Sequence, residues 1–241
     1  MSWIGISSKA LSRLDEIEEA INYGFSGLEL MSEGDQSIEI VFDKLKEIKS
    51  SFEIEITVHA PYRGVNPASP SEQKTCLRTW RKVAELSSEI SDYLVLHPGR
   101  VANPNFREDH LRVSLDTFSS IREELEDLGI KGLVENLPKS KRNLGWSPSE
   151  IKEFLSLGFD LALDLGHANT HRLEEFLSLK PLEIHLHDNN GKEDEHLPLG
   201  KGTLELGILR KFKRVPWIIE SRNLREGMES FDVLIELGLI G

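Results

Sequence analysis

Eight short apolar runs recur along the chain, at residues 3–7, 27–31, 53–59, 93–97, 131–136, 159–164, 182–188 and 216–221. Longer stretches separate most of them, and in several of these the apolar residues return every three or four positions. Runs of this length, rich in Ile, Leu and Val, read as strands, and the stretches between them read as helices. Residues 11–23 place Leu14, Ile17, Ala20 and Ile21 on one helical face, and residues 75–90 and 110–128 carry similar stripes. Ser147-Pro148-Ser149-Glu150 has capping-box spacing with proline in the first helical position. Gly24, Gly129, Gly158 and Gly238 follow helical runs, where a left-handed C-cap is favoured. Strands alternating with helices imply a parallel sheet covered by helices. Eight such units in 241 residues match the length of one closed barrel, about 250 residues. No Gly-x-Gly-x-x-Gly turn follows the first run, which counts against an open doubly wound sheet. The expected fold is therefore α/β, a single (β/α)8 TIM barrel forming one domain over residues 1–241.

Composition narrows the function. The formal net charge of −12 gives no broad surface for nucleic acid, although bound divalent ions would concentrate positive charge locally. No apolar run approaches the roughly 20 residues that cross a bilayer, so no membrane partner is expected. The start reads as a strand, Trp3-Ile4-Gly5-Ile6, rather than a leader, and the lone Cys76 cannot form an internal disulfide. Both point to a cytoplasmic protein. Cys76 falls in a helical pattern and is read as packing.

Metal-type side chains gather at the strand ends. His59 ends the third strand, His97 the fourth and Asp164 the sixth; Glu135 lies at the end of the fifth and Glu220 at the end of the eighth. His167 follows Asp164 by three residues, His185, His187 and Asp188 lie on the seventh strand, and Asp194 and His196 follow it. In a parallel barrel every strand C-terminus opens on one face, so residues scattered from 59 to 220 converge on one mouth. Imidazoles and carboxylates without thiolates suit zinc, manganese or iron. A lone histidine at a strand end is more often structural than ligating, but that reading must then hold at six strands together. His110 reads as a helix residue and His171 as the start of a helix. His187 shares strand parity with His185 and is read as supporting the site or touching substrate.

Several motifs in order resemble the endonuclease IV and xylose-isomerase-like barrel superfamily, AP endonuclease family 2, over nearly the whole chain. They are Val58-His59-Ala60-Pro61-Tyr62, Leu96-His97-Pro98-Gly99, Val134-Glu135-Asn136, Asn143-Leu144-Gly145, Asp164-Leu165-Gly166-His167, His185-Leu186-His187-Asp188, the run from Asp194 to Gly202, and Ile219-Glu220-Ser221. The resemblance to sugar isomerases and epimerases implies one metal held by Glu135, Asp164, His185 and Glu220, with Glu135 and Glu220 as the acid–base pair. The resemblance to endonuclease IV implies three zinc ions. His59, His97 and Glu135 would hold one; Glu135, Asp164, His185 and Glu220 a second; His167, Asp194 and His196 the third. All nine positions carry the expected residue type. The activity so implied is zinc-dependent phosphodiester hydrolysis at abasic DNA, by a metal-activated hydroxide attacking phosphorus, with manganese as an alternative metal. The other activity implied is isomerisation or epimerisation of a sugar or sugar phosphate. The sequence departs from endonuclease IV in its loops. Residues 32–36 are acidic, and Tyr62 and Arg63 stand where intercalating side chains are expected, with Arg100, Lys139, Lys141 and Arg142 supplying local positive charge.

Overall fold

The computed structural model describes residues 3–240. Its strands are β1 (Ile4–Ser7), β2 (Gly27–Met31), β3 (Glu55–His59), β4 (Tyr93–Leu96), β5 (Lys131–Glu135), β6 (Asp160–Asp164), β7 (Glu183–Leu186) and β8 (Trp217–Ile219). All pair in parallel, in chain order, and β8 returns to β1 with Gly5 opposite Ile218. The result is a closed (β/α)8 barrel, as expected. Each strand falls inside its expected run and is trimmed by up to two residues at either end.

Side chains alternate across a strand, and here the alternation is strict. Ile4, Ile6, Leu28, Leu30, Ile56, Val58, Leu94, Leu96, Val134, Leu161, Leu163, Ile184, Leu186, Trp217 and Ile219 all join the main hydrophobic core between the sheet and its helices. The opposite parity faces the barrel axis. Its apolar part is a small separate cluster of Val95, Leu133 and Ala162, with Tyr93 and Leu182 packed against it, together with the buried Met31 and Ile218.

The outer layer contains α1 (Ile17–Tyr23), α2 (Ile38–Phe52), α3 (Gln73–Ser87), α4 (Arg107–Asp127), α5 (Pro148–Ser156), α6 (Leu165–Asn169), α7 (Leu173–Phe176) and α8 (Leu224–Glu236). A 3-10 segment, Leu206–Phe212, takes the place of a helix between β7 and β8. Phe118 of α4 anchors this layer, with ring centroids 5.1 Å from Trp80, 4.7 Å from Phe154 and 4.9 Å from Phe159. The helix expected over residues 11–23 begins as a 3-10 turn at Leu14–Glu16 before α1. Ser147 caps α5 and accepts from the Glu150 amide. The reciprocal half of the capping box is not made, because the Glu150 carboxylate instead accepts from Arg107 at 2.7 and 2.8 Å and from the Gly145 amide at 2.7 Å. All four expected C-cap glycines have positive φ. Cys76 is buried in α3, and burial pushes its thiol pKa up. His110 lies in α4 and donates from Nδ1 to the Ala68 carbonyl at 2.6 Å. His171 stops short of α7, in the preceding bend, with its ring edge-on to Trp146.

Candidate metal centre

The inward parity carries the site. Glu135 sits at the end of β5 with 2% of its side chain exposed. Its Oε2 lies 2.9 Å from Nε2 of His59 and 2.9 Å from Nε2 of His97. Its Oε1 lies 3.2 Å from His167 Nδ1 and 3.7 Å from His185 Nδ1. Glu220 Oε1 approaches the same His185 nitrogen at 3.0 Å. Four groups result, and within each the donor atoms lie within 4.8 Å of one another: His59, His97 and Glu135; Glu135, Asp164, His185 and Glu220; His167, His187, Asp194 and His196; and, deeper in the barrel, Glu29, Glu183 and His185. Glu135 belongs to two of them.

The chemistry of these donors fits cations. His59 donates from Nδ1 to the Ala60 carbonyl at 2.7 Å, so its Nε2 lone pair faces the Glu135 oxygen. Two acceptors 2.9 Å apart repel unless a proton or a cation lies with them. His167 donates from Nδ1 to the Asn136 carbonyl at 2.8 Å, leaving Nε2 toward Asp194 at 3.4 Å. Such bonds fix which ring nitrogen is free to ligate. Asp164 Oδ2, His185 Nδ1, His187 Nε2 and His196 Nδ1 are buried and lack a hydrogen-bond partner. Buried polar atoms are rarely left that way without an ion, water or catalytic use.

The loop after β7 is held in place from within by Asp188. Asp188 is fully buried and accepts from the amides of Asn189, Gly200, Gly202 and Leu204 at 2.8 to 3.0 Å. It organises the loop and lies outside all four donor groups. His196 has φ +49°, a left-handed conformation uncommon outside glycine. That turn brings its Nε2 to 3.2 Å from Asp194.

His187 does not line the cavity. It is 1% exposed, stacks on His196 at 4.0 Å and points Nε2 at Asp164 Oδ1 at 3.2 Å. Its ring fills the space over Gly166, where any Cβ would come within 2.2 Å. His187 is therefore buried within the third donor group and does not line the cavity, where a substrate contact was expected. Tyr62 and Arg63 do line the cavity, whose volume is about 590 Å³. Tyr62 stacks on His97 with centroids 4.7 Å apart. The backbone amides of Tyr62 and Arg63 both donate to Glu33 at 2.8 Å, so part of the acidic loop after β2 is spent in holding this rim. Arg100 also lines the cavity; Lys139, Lys141 and Arg142 do not.

Charge is tightly coupled here. Burial opposes ionisation of Glu135, but His97, His167, His185 and His59 hold its carboxyl well below the usual range. Burial likewise opposes the charged forms of Glu220 and Asp194, yet His185 for the first and His167 for the second keep each low. His185 and His167 run against burial in the other direction, held well above the ordinary imidazole value by neighbouring carboxylates. Reading only strand ends misses three residues. Lys9, just after β1, lies with Nζ 3.4 Å from His196 Nε2. Glu29 and Glu183, on β2 and β7, are fully buried against His185. Inward parity would have found the two glutamates; no motif marks Lys9.

The family profile described as xylose isomerase-like TIM barrel matches residues 17–231. The chain is 31% identical over 258 aligned positions to the uncharacterized protein MJ1311 of Methanocaldococcus jannaschii, covering 96% of this chain and 88% of that protein. Among solved structures it is similar to a D-tagatose 3-epimerase-like protein, with TM-score 0.90 at 30% identity over 98% of this chain and 97% of that one. It shares its fold with endonuclease IV from Thermus thermophilus, with TM-score 0.74 at 18% identity over 99% and 100% of the two chains.

Proposed function

Because the chain belongs to the xylose isomerase-like TIM barrel family, whose fold serves both sugar epimerases and endonuclease IV, we propose that it is a metal-dependent phosphodiester hydrolase with a centre for up to three zinc ions. One observation carries this reading: Glu135 is shared by two donor groups and a third group adjoins them. A one-metal centre uses Glu135, Asp164, His185 and Glu220 alone. It leaves His59, His97, His167, Asp194 and His196 gathered at the same mouth without a role. Manganese is the alternative metal for this set of nitrogen and oxygen donors.

Bound divalent ions would supply positive charge to a phosphodiester and to its more highly charged transition state. Three such ions set against the carboxylates of Glu135, Asp164, Asp194 and Glu220 leave the centre at a net charge of about +2, the sign that attracts such a group. The side chains divide the remaining work. Glu135 ties the first two groups together. His59 and His167 keep their Nε2 atoms free through backbone bonds. Tyr62 and Arg63 orient substrate at the rim, held from below by Glu33. The acidic surface offers little grip on a duplex, so binding to abasic DNA rests on few phosphate contacts and weakens steeply with salt.

A second reading has its own support. The likeness at 30% identity is to a D-tagatose 3-epimerase-like protein, and Glu135 and Glu220 approach the same ring nitrogen of His185. In that reading these two glutamates move a proton at a sugar carbon. One experiment separates the two. Metal per chain is measured on protein purified without added metal, then the loaded protein is assayed on an abasic duplex at low and physiological salt beside a ketose and sugar-phosphate panel. More than one ion with salt-sensitive nicking supports the hydrolase. One ion after zinc or manganese reconstitution, with a ketose interconverted and no nicking at low salt, replaces it with the epimerase.

A further inference from the structure

Beneath the second donor group the barrel interior is unusually polar. Interior layers of such barrels are mostly branched aliphatic side chains. Here Glu29 of β2, Glu183 of β7 and Thr57 of β3 face inward and are buried, with Ser7, Glu29 and Thr57 in lateral register on β1 to β3. Both Glu29 oxygens, Glu183 Oε2, Thr57 Oγ1 and Ser7 Oγ have no hydrogen-bond partner. Leaving polar atoms buried and unpaired is unfavourable, so this tier needs a use.

His185 shows what that use is. Its Nδ1 faces Glu220 at 3.0 Å and Glu135 at 3.7 Å, toward the mouth. Its Nε2 faces the opposite way, 3.1 Å from Glu29 and 3.2 Å from Glu183, with the bond to Glu183 well formed. Among the other histidines, His59 and His167 anchor Nδ1 on backbone carbonyls and free Nε2. His185 is turned the other way round and has no carbonyl to hold it; side-chain carboxyls take that place. Resting on the metal-centre reading above, we infer that Glu29 and Glu183 are positioning residues. They hold the His185 ring with Nε2–H inward and the Nδ1 lone pair outward, and so set the affinity of the ion shared by Glu135, Asp164, His185 and Glu220.

The test compares the full chain with a double Glu29→Leu/Glu183→Leu variant and a double Glu29→Gln/Glu183→Gln variant, by zinc competition against a chelator. Outer partners of metal-ligating histidines typically contribute about 10–100-fold in metal affinity. The leucine pair should weaken one class of bound zinc by that factor and leave any other class unchanged. The glutamine pair retains amide acceptors and should recover most of the loss. The melting temperature of the metal-free leucine pair should hold or rise, because apolar replacement of buried charged groups is often neutral or stabilising. A merely structural role predicts the reverse, a lower metal-free melting temperature with unchanged zinc affinity, and overturns the inference. Should the leucine pair not fold, nitrogen-15 NMR of zinc-loaded wild type decides: a proton on His185 Nε2 supports the inference, and one on Nδ1 overturns it. Wild type that holds a single ion sinks the trinuclear reading and leaves this test intact, since both readings use His185. Wild type that holds no divalent ion overturns both.

Discussion

The two faces of the same eight strands follow opposite rules. Outward, the strands present Ile, Leu, Val or Trp to the helices, in one continuous core. Inward, the apolar contribution shrinks to a few residues, Met31, Val95, Leu133, Ala162 and Ile218 among them, and the upper positions hold histidine, glutamate and aspartate. A parallel barrel makes this division easy. Its outer face carries the main apolar packing between sheet and helices, while the inner face can hold charges against one another. Substitutions on the two faces should therefore fail differently, one in folding and the other in metal binding and chemistry.

The sharpest test of that division is Glu135→Gln. The amide has nearly the same shape, but it bridges two cations poorly and leaves His59 and His97 facing a neutral group. Activity should fall by more than about 100-fold, beyond what outer partners of a metal site contribute, and metal per chain should drop, while circular dichroism stays that of wild type. Activity near wild type would remove Glu135 from the mechanism under either reading. Phe118→Ala probes the other face. Phe118 is fully buried among Trp80, Phe154 and Phe159, and its removal should cost about 3–5 kcal/mol of stability. Denaturant unfolding should show the loss with metal per folded chain unchanged. A fall in metal content without a fall in stability would break the comparison.

Much of this division can be read from sequence, and its limits are physical. All eight strands show as apolar runs because their outward residues are largely aliphatic or aromatic. The nine proposed ligands show because each stands near the C-terminal end of a strand or in the segment after it, where convergence follows from the closure of the barrel. Glu29 and Glu183 stay hidden within their strands, where a single glutamate among aliphatics is easily taken for a surface position until parity is followed inward. His187 has the right parity, but sequence cannot tell that Gly166 opens a slot that draws its ring away from the cavity and into the third donor group. The acidic loop after β2 looks repulsive toward an anion, yet Glu33 is engaged by two backbone amides. Such pairings depend on distances between loops, which spacing along the chain does not encode.

The inner face should also respond to pH, and differently with and without metal. His185 and His167 have folded pKa values raised well above the ordinary value of about 6.5 by Glu29 and Asp164, against the effect of burial. The stability they contribute is fully present below that ordinary value and is lost as pH rises through their folded values. Glu135 and Glu220 are depressed, so their contribution is present above about 4.3 and lost as pH falls through their folded values. Metal-free protein should therefore lose a few degrees of melting temperature between about pH 6 and 9, roughly 2–4 °C for each kcal/mol in a chain of this size. In zinc-loaded protein the ions replace the protons, and that loss should vanish. A metal-free melting temperature that is flat or rises over the same range would show that the inner pairs contribute nothing to the fold.

The smallest effect is expected at Lys9, which sharpens the comparison because it belongs to neither face. It follows β1, lines the cavity and brings its ammonium to 3.4 Å from His196 Nε2. Burial opposes its charge, but Glu220, Tyr62, Asp194 and Glu135 raise its pKa above the ordinary value, so it stays cationic throughout the working range. When ions occupy the donor groups those carboxylates are neutralised, and the ammonium is left free to meet an anionic oxygen of the substrate. A hydrogen bond to a charged group contributes about 1.5–3 kcal/mol, at the lower end for a side chain this exposed. Lys9→Met should therefore weaken inorganic phosphate, measured as a competitive inhibitor of the zinc-loaded enzyme, by roughly tenfold, with metal content and melting temperature unchanged. Lys9→Arg should recover most of the loss. Phosphate inhibition that is unchanged in Lys9→Met would mean that the lysine serves only to balance the carboxylates of the metal-free site, and that the anion is held by the donor groups and the Tyr62–Arg63 rim alone.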